Sequence, residues 1–424
     1  ALKRALKTRQ VRVQPMATMN GGTQVLAKSL DPEPIPLDVK IVLMGSPRLY
    51  YALYENDDDF NNLFKVRSDF GATMPRSDMF EEAYAQFVAT RCTEEGLFHF
   101  DKTAVERVVE YGSRLAEHQE KLSTRFGAVA DVVREASYWA GRDDRELVTA
   151  VDVKKALSEH RYRANRLEEE ILEDILDGTI FIATDGAVVG QANGLSVLDT
   201  GEYAFGTPGR LTARTYMGEE GMVHIEQETD MSGPIHEKGF LTLKGYLGGM
   251  YAQDSPLSFS ASMTFEQNYG LIDGDSASST EIYVLLSSLA GLPIKQGIAV
   301  TGSVNQRGEV QPIGGANEKI EGFFNVCSAR GLTGEQGVMI PAVNVPNLML
   351  EEEVVTAVSN GKFNIYPIST IDEGIELLTG VAAGERADDG SYAEGTVHHA
   401  VMARLRALAE KPKDADSDGS DEEE

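Results

Sequence analysis

Cysteine is almost missing from this chain: Cys92 and Cys327 are the only two in 424 residues, and neither has a second cysteine or a histidine at metal-ligand spacing. That scarcity excludes a disulfide framework and the common zinc motifs. No apolar run is long enough for a membrane span, and the basic start (Lys3, Arg4, Lys7, Arg9) is not followed by the apolar core of a signal peptide. The expected location is therefore the cytoplasm. Positive charge is also in short supply, since 39 Lys and Arg face 67 Asp and Glu for a net −28. Such a balance opposes non-specific attraction to nucleic acid or anionic lipid and favours solubility. No GxxxxGK[ST] segment occurs, so tight ATP binding by this chain alone is not expected. His236-Glu237 lacks the second histidine of HExxH, and His398-His399 falls in what reads as a tail, so no metal site is expected.

What is present suggests more than one core, because 424 residues exceed what a single compact domain usually holds. The opening ALKRALKTR begins on Ala1 and reads like the middle of an amphipathic helix, as though the chain were a piece of a longer protein. Residues 1–77 give a helix and then an apolar segment (Val39, Ile41, Val42, Leu43) suited to a buried strand. From 78 to 177 helical periodicity takes over: Phe80, Ala83, Tyr84 and Phe87 share one face, as do Val105, Val108, Val109 and Leu115, with Asp101 placed to cap the second helix. After Gly178 short Val-, Thr- and Ile-rich runs alternate with glycine turns to about residue 270, interrupted by a helix around Leu243–Met250; strands and helices then alternate to about 380. The expected fold class is α+β, a mixed-sheet domain over 178–382 preceded by an all-α bundle. Residues 383–424 end in DADSDGSDEEE and read as an acidic, disordered tail in which VMARLRALAE is the one helical stretch.

One segment carries chemistry. Asp273-Gly274-Asp275-Ser276-Ala277-Ser278 precedes Ile282, Leu285, Leu286 and Leu289 at helical spacing, which puts a serine at the mouth of a helix. Free amides and the positive end of the helix dipole there would stabilise the oxyanion of a tetrahedral intermediate. Asp and Ser are equally the commonest N-caps, so this segment alone leaves a purely structural reading open. A second segment adds Thr301-Gly302 and then Pro312 to Lys319, with Lys319 at the start of a helix bearing Ile320, Phe323, Phe324 and Cys327. A cation is disfavoured at that helix end, and dipole and burial both lower its pKa. To act as a base, a lysine near 10.4 in water must fall to roughly 7 or 8, a shift worth about 4 kcal/mol.

DGDSAS followed by TGSVNQRGEVQPIGGANEKIEGF resembles the Ser/Lys region of Lon proteases, especially LonB-like members. Asn193-Gly194-Leu195-Ser196-Val197 and His236-Glu237-Lys238-Gly239 are similar to two earlier family segments, so the likeness spans about 178–380. It implies a serine endopeptidase with Ser276 as nucleophile, Lys319 as general base and Thr301 supporting the lysine. It also implies an oxyanion region around Asp275 and Ser276, an acidic position at Asp273, and a cleft bordered by Tyr269–Ile272. Residues 1–160 resemble the trailing part of an AAA+ module, with KIVLMGSP before a sensor position and 77–160 as its helical lid. From this follow an ATP-dependent full-length protein, ATP and Mg entering only through an N-terminal part not present here, a hexameric ring and polypeptide substrates. Arg67 or Arg76 would then reach a neighbour's nucleotide, and Arg142 or Arg145 would act from the lid. Two rival readings are a non-catalytic Lon-fold scaffold and an ATP-independent peptidase.

Overall fold

The computed structural model describes residues 2–11, 33–201, 203–218, 220–253 and 256–409. The chain divides into two compact units, Ala1–Gly71 and Ala72–Glu424.

In the first unit, helices Leu2–Thr8, Pro47–Asn56 and Phe60–Leu63 accompany a two-residue antiparallel pair, Gln10–Val11 with Ile35–Pro36. Lys3 Nζ lies 2.8 Å from Asp57. The Ser46 side chain accepts from Leu49 N–H, with Pro47 at the helix start where its missing N–H costs nothing. The strand expected over Val39–Leu43 is not formed: residues 37–46 have no regular structure, and Val42 is 80% exposed. A strand needs a neighbour to pair with, and the described residues of this unit place none beside it.

The second unit starts with a helical bundle: α1 (Asp78–Glu95), α2 (Lys102–Leu115), α3 (Phe126–Arg142), α4 (Ala150–Ala164) and α5 (Arg166–Asp177). Local signals set its boundaries. Gly96, in the left-handed region at φ 68°, ends α1; Asp101 accepts from Ala104 N–H at 2.9 Å; Thr149 and Asp152 form a capping box on α4. Tyr84, Val88, Val108, Val133 and Ala136 fill the bundle's core.

The rest is a mixed α+β domain. Its strands are β1 (Gln191–Asp199), β2 (Ala204–Tyr216), β3 (Gly221–His224), β4 (Ser260–Phe265), β5 (Ile298–Val300), β6 (Gly337–Pro341) and β7 (Asn364–Ile368). They form one seven-stranded sheet in the order β3-β4-β2-β1-β5-β6-β7. β4-β2 and β2-β1 are antiparallel, whereas β3-β4, β1-β5, β5-β6 and β6-β7 are parallel. The helices are α6 (Pro234–Tyr251), α7 (Ser278–Ala290), α8 (Ala316–Arg330), α9 (Ile371–Thr379) and α10 (Val397–Ala409). α6 extends well beyond the expected Leu243–Met250 because Pro234 starts it a full two turns earlier.

Strand alternation divides the interior into two cores. Ala192, Val300 and Met339 pack with α6, α7, α9 and α10, while Leu195, Ala299, Val338 and Ile340 pack with Ile320, Phe323 and Phe324 of α8. Helices α7 and α8 therefore cover opposite faces of one sheet, and their N-terminal ends meet near Thr301, directly after β5.

The tail expected from 383 onward does not begin there. Val397, Val401, Leu405 and Leu408 of α10 are buried in the same core as α7, and His398 is fully enclosed. An apolar stripe that docks on a core overrides local charge composition. The acidic residues 410–424 lie outside the described residues.

Candidate active site

Ser276 sits on a loop laced to the end of β5. Its carbonyl accepts from Gly302 N–H at 2.8 Å and from the Thr301 hydroxyl at 3.2 Å, and Ser279 N–H returns to Gly302 O at 3.1 Å. One residue earlier, the Asp275 carbonyl accepts from Ser278 N–H (3.1 Å) and Ser278 Oγ (2.8 Å), and its side chain accepts from Ser303 Oγ at 2.8 Å. Gly274 turns the loop at φ 106°, a conformation that side-chain-bearing residues avoid. Helix α7 begins at Ser278, so Ser276 stands half-buried just outside it. Among the described residues, the N–H groups of Asp275, Ser276 and Ala277 have no acceptor and remain available at this helix entrance.

Asp273 works on a different element. Its Oδ1 accepts from Gly274 N–H (2.9 Å), Ile235 N–H (3.0 Å) and His236 N–H (3.3 Å), which ties the loop to the first turn of α6. Those amides, Gly274 first, hold its carboxyl below the ordinary value despite partial desolvation. Gly233 makes this contact possible, because a Cβ there would lie 2.5 Å from Asp273 Cγ.

Lys319 is in the first turn of α8 and is 4% exposed. Its Nζ donates to Thr301 Oγ1 at 3.2 Å, and Thr301 in turn donates to the Ser276 carbonyl. Lysine, threonine and serine are thus joined in one row. No direct hydrogen bond among the described residues links Lys319 Nζ with Ser276 Oγ; Thr301 is the contact they share. Burial pulls the Lys319 amine down to about 8, against the opposing charges of Asp275 and Glu318. A cleft of ≈ 360 Å³ adjoins Asp275 and is lined also by Lys238, Arg307 and Gln311. Tyr269 and Leu271 are 85% and 72% exposed on the approach to the loop, and Ile272 already bridges to Ser232.

The four arginines lie elsewhere. Arg67, in the first unit, meets Tyr51 OH at 3.1 Å and stacks over the Tyr50 ring at 4.5 Å. Arg76 pairs with Glu81, Arg142 covers Trp139, and Arg145 bridges Asp143 and the buried Asp152. Sequence reasoning missed Ser303, which steadies Asp275; the TGS run after β5 was its only signal. It also missed the burial of Glu281 and His224, which no local pattern announces.

Residues 271–380 match a family model described as the Lon protease (S16) C-terminal proteolytic domain, residues 99–163 one described as the archaeal LonB AAA+ ATPase LID domain, and residues 1–71 one described as a LonB-like AAA domain. The chain is a LonB-like member of the Lon family. A putative Lon protease homolog of Haemophilus influenzae is 32% identical over 383 residues, covering 89% of this chain and 62% of that protein. The corresponding Escherichia coli protein is 40% identical over 249 residues, 58% of this chain and 42% of its own length. An archaeal Lon protease of Thermococcus kodakarensis is 26% identical over 382 residues, 89% of this chain and 56% of that protein. This Lon chain therefore spans less than two thirds of these relatives. The match over 271–380 includes Ser276, Thr301 and Lys319 and makes that stretch Lon proteolytic-domain sequence. Among the described residues, no helix is long and apolar enough to cross a membrane.

Proposed function

We propose that this Lon chain hydrolyses peptide bonds with Ser276 as nucleophile and Lys319 as general base. The observation that carries the reading is the Lys319 amine, buried and hydrogen-bonded to the hydroxyl of Thr301, an environment that brings its pKa down to about 8. Deprotonated, that amine has a lone pair to take the Ser276 proton, and Thr301 orients it. Ser276 Oγ attacks the carbonyl carbon of an extended substrate. The free amides around Ser276 stabilise the negative oxygen. Lys319 then protonates the departing amine, and water releases the acyl group from Ser276 by the reverse of the same proton transfers.

The matches at 1–71 and 99–163 support an ATP-dependent parent protein, in which ATP and Mg act through a more complete AAA+ module. Polypeptides that are unfolded or damaged are the proposed substrates, a hexameric ring the proposed assembly and the cytoplasm the proposed location. A fluorogenic peptide assay tests the chemistry: Ser276→Ala and Lys319→Ala each abolish cleavage while circular dichroism stays unchanged, and activity retained by either folded variant rejects the assignment.

A further inference from the structure

We infer that His224, His236 and Glu281 form a structural zinc site behind the Ser276 loop. It is independent of the peptidase reading. The three side chains come from β3, α6 and α7 and are 1%, 2% and 0% exposed. Glu281 Oε1 lies 3.2 Å from His224 Nε2 and 2.9 Å from His236 Nε2, and the three ligand atoms all fall within 4.8 Å of one another. A four-coordinate ion at about 2.0–2.1 Å holds its donors about 3.3–3.4 Å apart, so the two Glu281 contacts are of the right size and the widest separation closes on binding.

Three further observations point to an ion rather than to hydrogen bonds alone. First, His224 Nε2 approaches Glu281 without the alignment of an N–H···O bond, as expected when both atoms aim at a third point between them. Second, the other oxygen of Glu281, Oε2, has no hydrogen-bond partner among the described residues although the residue is fully buried. It supplies the fourth ligand position, and a buried orphan oxygen is otherwise costly. Third, a polar group stands behind each imidazole, hydrogen-bonded for His236 and close but without hydrogen-bond alignment for His224. His236 Nδ1 contacts Ser232 Oγ at 2.8 Å, and His224 Nδ1 faces Glu226 Oε2 at 2.8 Å. Glu226 is itself fixed through its other oxygen by Phe265 N–H (2.8 Å) and Thr264 Oγ1 (3.0 Å).

Two carboxylates enclosed with two imidazoles suit a divalent ion in charge, and two nitrogens with carboxylate oxygen suit Zn²⁺ in ligand type. The motif escaped the HExxH test because its ligands come from three separate elements. Its mechanical effect is to pin the first turns of α6 and α7 to β3, and those turns flank the Asp273–Ser276 loop.

Metal analysis of the full chain, stripped with EDTA and dialysed against Zn²⁺, is expected to find one Zn²⁺ per chain that raises the thermal midpoint. Co²⁺ as a second probe is expected to give visible d–d absorption from a low-coordinate N/O site. Glu281→Gln removes both signals. Glu226→Gln, which leaves all three ligands in place, weakens Zn²⁺ binding by about 10–100-fold. Wild-type protein that retains no Zn²⁺ and gives no Co²⁺ band overturns the site, as does Zn²⁺ uptake that is the same in wild type, Glu281→Gln and Glu226→Gln.

Discussion

Two cations on either side of helix α8 show how differently the fold treats buried positive charge. Arg114, reaching from α2 of the bundle, donates to both oxygens of Glu321 at 2.7 Å and to Met349 O at 2.7 Å. Burial lowers its pKa, but the hydrogen bonds and charge of Glu321 outweigh that and hold it above the ordinary arginine value. Two residues before Glu321 on the same helix, Lys319 is offered a hydroxyl instead of a carboxylate and falls to about 8. Burial alone does not decide protonation; the partner does. The seam between bundle and peptidase domain uses its cation to hold two parts together, whereas the pocket beside Thr301 keeps its cation ready to give up a proton.

Several experiments can break this contrast. The largest effect is expected from Lys319→Met, which lowers peptide cleavage by about 10³-fold or more because the base is removed. The same change is expected to stabilise the fold. A folded-state pKa near 8 against 10.5 in the unfolded chain is an unfavourable contribution of about 3 kcal/mol, fully present below pH 8 and gone above pH 10.5. Wild-type stability should accordingly rise relative to Lys319→Met as pH increases through that window, which urea unfolding at pH 7 and pH 10 measures directly. A variant less stable than wild type at pH 7 contradicts the account.

Arg114→Met should do the reverse at the seam. It leaves the Glu321 carboxylate enclosed and unpaired, with a loss of about 2–3 kcal/mol, less than for a fully buried pair because the arginine is 32% exposed. Glu321→Gln/Arg114→Met together should recover much of that loss, and a double-mutant cycle reads the coupling. A smaller effect is expected of Thr301→Val, which keeps the shape but removes the hydroxyl that orients the amine: about tenfold lower kcat with KM little changed. Smallest is Asp275→Asn. In wild type, cleavage should increase with pH as the Lys319 amine deprotonates, with a midpoint near 8. Asp275 raises that amine's pKa, so neutralising it should move the midpoint to lower pH, and an unmoved or raised midpoint rejects the electrostatic link.

How much of this was legible in the sequence differs from one region to another for physical reasons. The helix expected to have Lys319 at its start and to carry Ile320, Phe323, Phe324 and Cys327 is α8, Ala316–Arg330, because glycines before it and an apolar face within it are local signals. The proximity of Lys319 and Thr301 could be inferred only through resemblance, since it depends on two helices covering opposite faces of a sheet and converging after β5. Val39–Leu43 misled because a strand's apolar pattern does not say whether a neighbour exists. Residues 397–409 misled in the opposite direction, as the acidic run beyond them hid the four apolar side chains that dock. The cluster of His224, His236 and Glu281 was invisible, since no spacing rule covers ligands drawn from distant elements.

The crossing of β2 and α8 has its own consequence. A Cβ on Gly206 would stand 2.0 Å from Glu318 O, and one on Gly322 would stand 2.1 Å from Gly206 O, so main chain rests against main chain with no side chain between. Side chains can swing to absorb a misfit, but bare backbone has no such slack. The seat of α8 is thereby machined to a fixed depth, and the reach of its lysine is calibrated by two missing methyl groups far removed from any proton transfer.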